Sequence, residues 1–172
     1  MEAVKGPDSR EARIEHMVTL YQLPLLRLCV MYLHDVEQAK DAVQETFLKA
    51  YRNLDSFRGD ASEKTWLTRI AINTCKDMMK SAWMRNTDRF VTPDSLPEGA
   101  VPFDKRDDTV TRAVLRLPPK IKEVTLLHWY QGLTLEEAAR ALRLPRSTVN
   151  YRLKKAKTML KKELEDWYDE NE

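Results

Sequence analysis

Residues 133–162 constrain this chain more than any other stretch, because a helix-period pattern is cut there by a proline and resumes at once. Thr134 can open a helix by accepting from the first free backbone amides, and Glu137 stands three residues on, as a capping box requires. Leu135, Ala138, Ala139 and Leu142 then recur at helical spacing. Arg143, Leu144 and Pro145 end that helix, since Pro145 cannot donate to the backbone ladder. A second helix follows, with Ser147 near its start and Val149, Leu153, Ala156 and Leu160 along one face. Residues 146–162 hold seven Lys or Arg and no acid. Two helices, a tight turn and a basic second helix make a helix-turn-helix.

Rotation at about 100° per residue places the outer face of that second helix. Ser147, Tyr151, Lys154, Lys155 and Thr158 lie opposite the apolar stripe, flanked by Asn150 and Arg152. Donors and acceptors near a helix start, ringed by cations, suit a major groove and its phosphates. A solvated basic helix has the same charge, but it gives Tyr151 little reason to point away from the core.

The rest of the composition narrows the class. The 172 residues are 42% hydrophobic and 33% charged, with four glycines and no period-two strand pattern, which predicts an all-α protein of one ordinary or two small domains. No apolar run approaches the roughly 20 residues that span a bilayer, and residues 1–10 lack a signal-peptide core, so a cytoplasmic protein without membrane insertion is expected. Cys29 and Cys75 are isolated and read as buried, reduced thiols. His16, His34 and His128 are scattered and no P-loop, metal cluster or nucleophile–base pattern is present, so neither catalysis nor a cofactor is expected. Residues 86–108 hold six acids against three bases, together with Pro93, Pro97 and Pro102. They read as an acidic linker between a domain at 10–85 and a second at 109–168.

From the N-terminus, Ile14, Met17, Val18 and Tyr21 begin an amphipathic helix that Pro24 is expected to kink or break, and Leu25, Leu28, Met31 and Tyr32 continue its apolar face. Asp35, with Gln38 three residues on, can cap the next helix. Its core stripe is Ala39, Val43, Phe47, Ala50 and Leu54, and its other face carries Glu37, Asp41, Gln44, Glu45, Leu48 and Arg52. An acidic face with Leu48 at its centre suits docking on a basic protein partner, although a solvated face with one stray leucine reads equally well. Residues 55–64 form a loop rich in Ser, Asp and Gly. A helix over 65–83 follows, with Trp66, Leu67, Ile70, Thr74 and Met78 expected inside and Arg69, Asn73, Lys76 and Lys80 as a continuous outer stripe. Cations around an amide, beside a loop holding Phe57 and Arg58, suit a nucleic-acid backbone and an unstacked base; an ordinary solvated face is the alternative. After the linker, Val110, Ala113, Val114 and Leu117 predict a helix ended by Pro118 and Pro119, and Ile121, Val124, Leu127 and Tyr130 another, closed by Gly132. The acidic tail at 163–172, with Trp167 and Tyr168, is expected to fray.

Five segments in order carry a family likeness: Asp41-Ala-Val-Gln-Glu-Thr-Phe-Leu-Lys-Ala-Tyr51, Asp55-Ser-Phe-Arg-Gly-Asp60, Thr65-Trp-Leu-Thr-Arg-Ile-Ala-Ile-Asn-Thr-Cys-Lys-Asp77, Leu115-Arg-Leu-Pro-Pro119 and Gly132-Leu-Thr-Leu-Glu-Glu-Ala-Ala139. Together they resemble bacterial RNA polymerase sigma factors of the extracytoplasmic-function group, over about residues 10–165. The resemblance implies two small helical domains, sigma region 2 and region 4, joined by a flexible linker that threads the RNA exit path. It implies that Asp41, Gln44, Glu45 and Leu48 dock on the beta-prime clamp helices of core polymerase. It implies that Ser56, Phe57, Arg58, Gly59 and Asp60, with Arg69, Asn73, Lys76 and Lys80, recognise and melt the promoter −10 element. Arg146, Ser147, Thr148, Asn150, Tyr151, Arg152, Lys154 and Lys155 would read the −35 element, while region 4 also meets the beta flap. An anti-sigma factor is an expected further partner.

The chain departs from the family at several positions. Arg143 stands where a glycine is usual, Arg146-Ser-Thr-Val149 replaces the common Val-Gly-Thr-Val, Asn150-Tyr151 replaces a basic–Ser pair, and Lys40 stands where an acid is commoner. These bear on which −35 sequence is read and on the polymerase contact. A stand-alone helix-turn-helix regulator is the competing function. It would bind duplex DNA without polymerase, and it leaves the first domain idle.

Overall fold

The computed structural model describes residues 9–85 and 108–171, with side chains placed over 9–81 and 109–165. Among these residues every regular element is helical. They fall into two compact units divided between Phe90 and Val91. The linker expected at 86–108 lies outside the described residues, except for Asp108, which opens a helix.

The first unit is three helices: α1 (Arg10–Leu33), α2 (Val36–Arg52) and α3 (Glu63–Arg85), with a single 3₁₀ turn at Leu54–Ser56. Helix α1 begins at Ser9, whose side chain accepts from the Ala12 amide at 3.1 Å. It continues through Pro24, so the proline does not break it. A proline in a helix interior costs about 3 kcal/mol. Leu25, Leu28 and Cys29 just beyond it are buried, and sealing such side chains returns roughly 1.5–3 kcal/mol each, enough to hold the helix together. The helix stops at His34, which takes a left-handed conformation at φ 55°. Asp35 then caps α2 by accepting from the Gln38 amide at 2.9 Å, as its sequence predicts.

The whole α2 stripe of Ala39, Val43, Phe47, Ala50 and Leu54 is buried, together with Ala42 and Thr46. The inner face of α3 is rotated from the expected one. Leu67 and Thr74 are buried as predicted, but Ala71, Ile72, Thr68 and Cys75 complete the face, and Trp66, Ile70 and Met78 are only half-buried. Thr68, Ala71 and Cys75 fill the face beside the fully buried Leu67 and Ile72. Cys29 and Cys75 are buried and unbridged, as expected. A hydrogen bond with Cys75, reinforced by burial, pushes the Cys29 thiol far above its ordinary pKa.

The second unit comprises α4 (Asp108–Arg116), α5 (Pro119–Thr125), α6 (Leu135–Leu142) and α7 (Arg146–Asn171). Pro119 sits in the first turn of α5, where its missing amide costs nothing. The chain continues from α5 through a wide turn at Leu126–Tyr130, in which the Gln131 amide donates to the Leu126 carbonyl at 3.0 Å. Gly132, at φ 67°, closes this turn as the sequence predicts. Leu126, Leu127 and Leu133 are sealed in the core with Val114, Val124, Ala138, Val149 and Ala156. Val110, expected on the buried side of α4, is exposed. Helix α7 continues to Asn171, through the segment expected to fray. Residues 146–172 contain no proline or glycine, and Glu163 is anchored to Arg116 of α4 at 3.1 Å.

Candidate functional site

The helix-turn-helix is built by local chemistry. Thr134 Oγ1 accepts from the Glu137 amide at 3.2 Å, and Glu137 Oε2 accepts from the Thr134 amide at 2.8 Å, completing the expected capping box. Helix α6 ends on Arg143, which adopts the left-handed conformation at φ 54° and ψ 44°. That conformation is natural for the family's glycine and costs an L-residue roughly 1–2 kcal/mol. Arg143 keeps the turn geometry, so the departure leaves the motif intact. Pro145 supplies the carbonyl for the Thr148 and Val149 amides at 3.0 and 3.2 Å, which starts α7.

On α7, Val149, Leu153, Ala156 and Leu160 are buried, while Ser147, Lys154, Lys155 and Thr158 are exposed. Tyr151 is 63% exposed, opposite the buried stripe. Asn150, Arg152 and Thr148 sit at half-burial on the flanks. Arg146 is exposed and pairs with Glu136 of α6 at 3.7 Å. The structure therefore leaves these side chains around the solvent side of α7, with Tyr151 opposite the buried stripe.

In the first unit, Asp41, Gln44 and Leu48 are exposed on one side of α2 and Glu45 is half-buried beside them, 3.9 Å from Lys49. Leu48 is 50% exposed, although the helix buries its opposite face completely. Lys40 is held at 2.6 Å by Glu37, so it belongs to a local pair at the edge of this face.

The loop after α2 leads into α3. Ser56 donates to the Asn53 carbonyl at 2.7 Å, and the Phe57 amide to that of Leu54 at 3.1 Å. Gly59 reverses the chain at φ 78°, in open space. Ser62 then starts α3 by accepting from the Thr65 amide at 3.1 Å. Arg58 and Asp60 are exposed on this loop. Asn73, Lys76 and Lys80 are exposed along α3 and Arg69 is half-buried, so the predicted stripe faces solvent.

The side chains that sequence reasoning missed hold this loop from behind. The Phe57 and Trp66 rings pack with centroids 4.8 Å apart, tilted by 32°. The Arg13 guanidinium lies 5.4 Å from the centre of the Phe57 ring and 3.7 Å from Glu63. Arg10 donates to Asp55 and lies 5.4 Å from the centre of the Tyr51 ring. The Asp55 hydrogen bond raises the Arg10 pKa still further above its ordinary value. The Tyr51 hydroxyl donates to Glu11 at 2.9 Å. A cap at Ser9 was the one sequence signal that α1 begins just there.

Two family models match this chain, Sigma-70 region 2 over residues 17–85 and Sigma-70 region 4 over residues 107–160. The chain belongs to the sigma-70 family, in its extracytoplasmic-function group. Its relatives include the RNA polymerase sigma-H factor of Pseudomonas aeruginosa, 34% identical over 96% of this chain and 92% of that protein. The ECF RNA polymerase sigma factor SigW of Bacillus subtilis is 32% identical over 87% of this chain and 88% of that protein. In fold, this sigma factor resembles RpoE of Bartonella quintana, solved with the anti-sigma factor NepR, at a TM-score of 0.72 and 22% identity over 89% of this chain and 97% of that one. CnrH, solved with the cytosolic domain of CnrY, gives 0.67 at 22% identity over 91% and 90%. Membership in this family selects a sigma factor over the stand-alone regulator. No helix among the described residues is long and apolar enough to cross a membrane, and no cluster of metal-ligating side chains occurs among them.

Proposed function

We propose that this sigma factor binds core RNA polymerase through Asp41, Gln44, Glu45 and Leu48 of α2 and reads promoters through two separate surfaces. Ser56, Phe57, Arg58, Gly59 and Asp60, with Arg69, Asn73, Lys76 and Lys80, engage the −10 element. Arg146, Ser147, Thr148, Asn150, Tyr151, Arg152, Lys154 and Lys155 engage the −35 element. The domains run over 10–85 and 109–168, with 86–108 as the acidic connection. The beta flap is a second polymerase contact, and an anti-sigma factor competes for these surfaces in the cytoplasm. The observation that supports this reading is that both sigma-70 regions occur in one chain and that none of the named side chains is buried.

The chemistry is binding without turnover. Unstacking a base costs a few kcal/mol, which stacking on an aromatic side chain and backbone contacts can offset. Opening then follows from capture of the unpaired strand once polymerase holds the two readers at a fixed spacing. The free sigma factor should bind promoter DNA poorly.

Affinity measurement with core polymerase tests the assignment. Asp41→Ala is expected to weaken binding about tenfold, an ordinary interface loss of about 1.4 kcal/mol, with an unchanged unfolding curve. Unchanged affinity removes α2 from the interface. In the holoenzyme, Lys155→Ala is expected to weaken −35 binding across sequences and to lower the slope of log affinity against log salt by about one.

A further inference from the structure

We propose that the first turn of α1 is a clamp that sets the loop at residues 53–62 for strand capture, which makes Arg10 and Arg13 positioning residues for promoter opening. The inference rests on the −10 assignment above. The Ser9 cap fixes that turn, and a separation of three places Arg10 and Arg13 on one side of the helix. From there they reach the loop at its entry, its middle and its exit: Arg10 at Asp55, Arg13 at the Phe57 ring, and Arg13 again at Glu63 in the first turn of α3. The Tyr51–Glu11 hydrogen bond ties the same turn to the end of α2.

Stability does not account for this arrangement. The Asp55 side chain is 84% exposed, and exposed ion pairs add little to folding. What the contacts do is restrict the loop. A Phe57 ring packed on the Trp66 indole and beside the Arg13 guanidinium is already placed when DNA arrives, so its ordering does not have to be supplied by the captured strand. The cations serve here by holding an aromatic ring, and phosphate contact is left to the α3 stripe.

The test uses holoenzyme assembled from the full chain and core polymerase. Opening of the −10 region is followed by 2-aminopurine fluorescence, alongside polymerase affinity and the −35 footprint. Arg10→Ala with Arg13→Ala should slow opening about tenfold and weaken binding of a single-stranded −10 oligonucleotide similarly, with affinity for polymerase and the −35 footprint unchanged. The double lysine variant, which keeps both cations, should recover most of the loss. Wild-type opening in the alanine variant, while Phe57→Ala abolishes it, overturns the clamp and leaves the −10 assignment standing. Normal opening in Phe57→Ala overturns both. Faster opening in the alanine variant would mean that Arg13 masks the ring, and loss of polymerase affinity as well would mean a general folding role; either result overturns the clamp.

Discussion

The two units solve the same problem in opposite ways. In the second unit, α7 is set by its sequence neighbours: a capping box within four residues, a left-handed stop at Arg143, and Pro145. In the first unit, the loop at residues 53–62 is held from a distance, by pairs separated by 45 positions (Arg10 and Asp55) and 40 positions (Glu11 and Tyr51). A local device fixes a rigid helix and adds to stability. A remote one restrains a loop and, through exposed ion pairs, adds little to stability.

The largest expected effects check what the units share. Leu127→Ala in the second unit and Leu67→Ala in the first should each cost about 3 kcal/mol by chemical denaturation, since both side chains are fully buried. A far smaller loss at one of them would show that one core is loosely packed. Next comes the local device: Thr134→Ala should cost about 1 kcal/mol, through loss of the cap. Arg143→Gly should move the other way and stabilise by about 0.5 kcal/mol, because relief of the left-handed strain exceeds the added chain entropy of glycine. The smallest effect sharpens the contrast. Arg10→Ala should leave the thermal midpoint where it is, because its ion pair is exposed. A drop as large as that of Thr134→Ala would erase the distinction between a stabilising device and a positioning one.

The same contrast explains what was legible in the sequence. The helix-turn-helix was legible down to Thr134, Gly132 and the outward Tyr151, because these determinants lie within a turn or two of what they control, although Leu135 and Leu142 are only half-buried and Ala141 is buried instead. The α2 face was legible because a strong apolar stripe fixes its rotation. Helix α3 was legible only in part: Leu67 and Thr74 are buried as expected, but Thr68, Ala71 and Cys75 are buried where tertiary fit outranks hydropathy. Pro24 does not break α1 for a similar reason: a local penalty is offset by the packing of the leucines beyond it. The cations behind the Phe57 loop were invisible, because no period in a sequence announces a contact 45 positions away.

Run-off transcription on a library of random promoter templates, with core polymerase and this chain added separately and together, tests the central claim most directly. RNA chains should start at defined sites only when both are present, with common −35 and −10 sequences upstream of those starts. Failure of the chain to associate with core polymerase, together with no new start sites in its presence, would contradict the account.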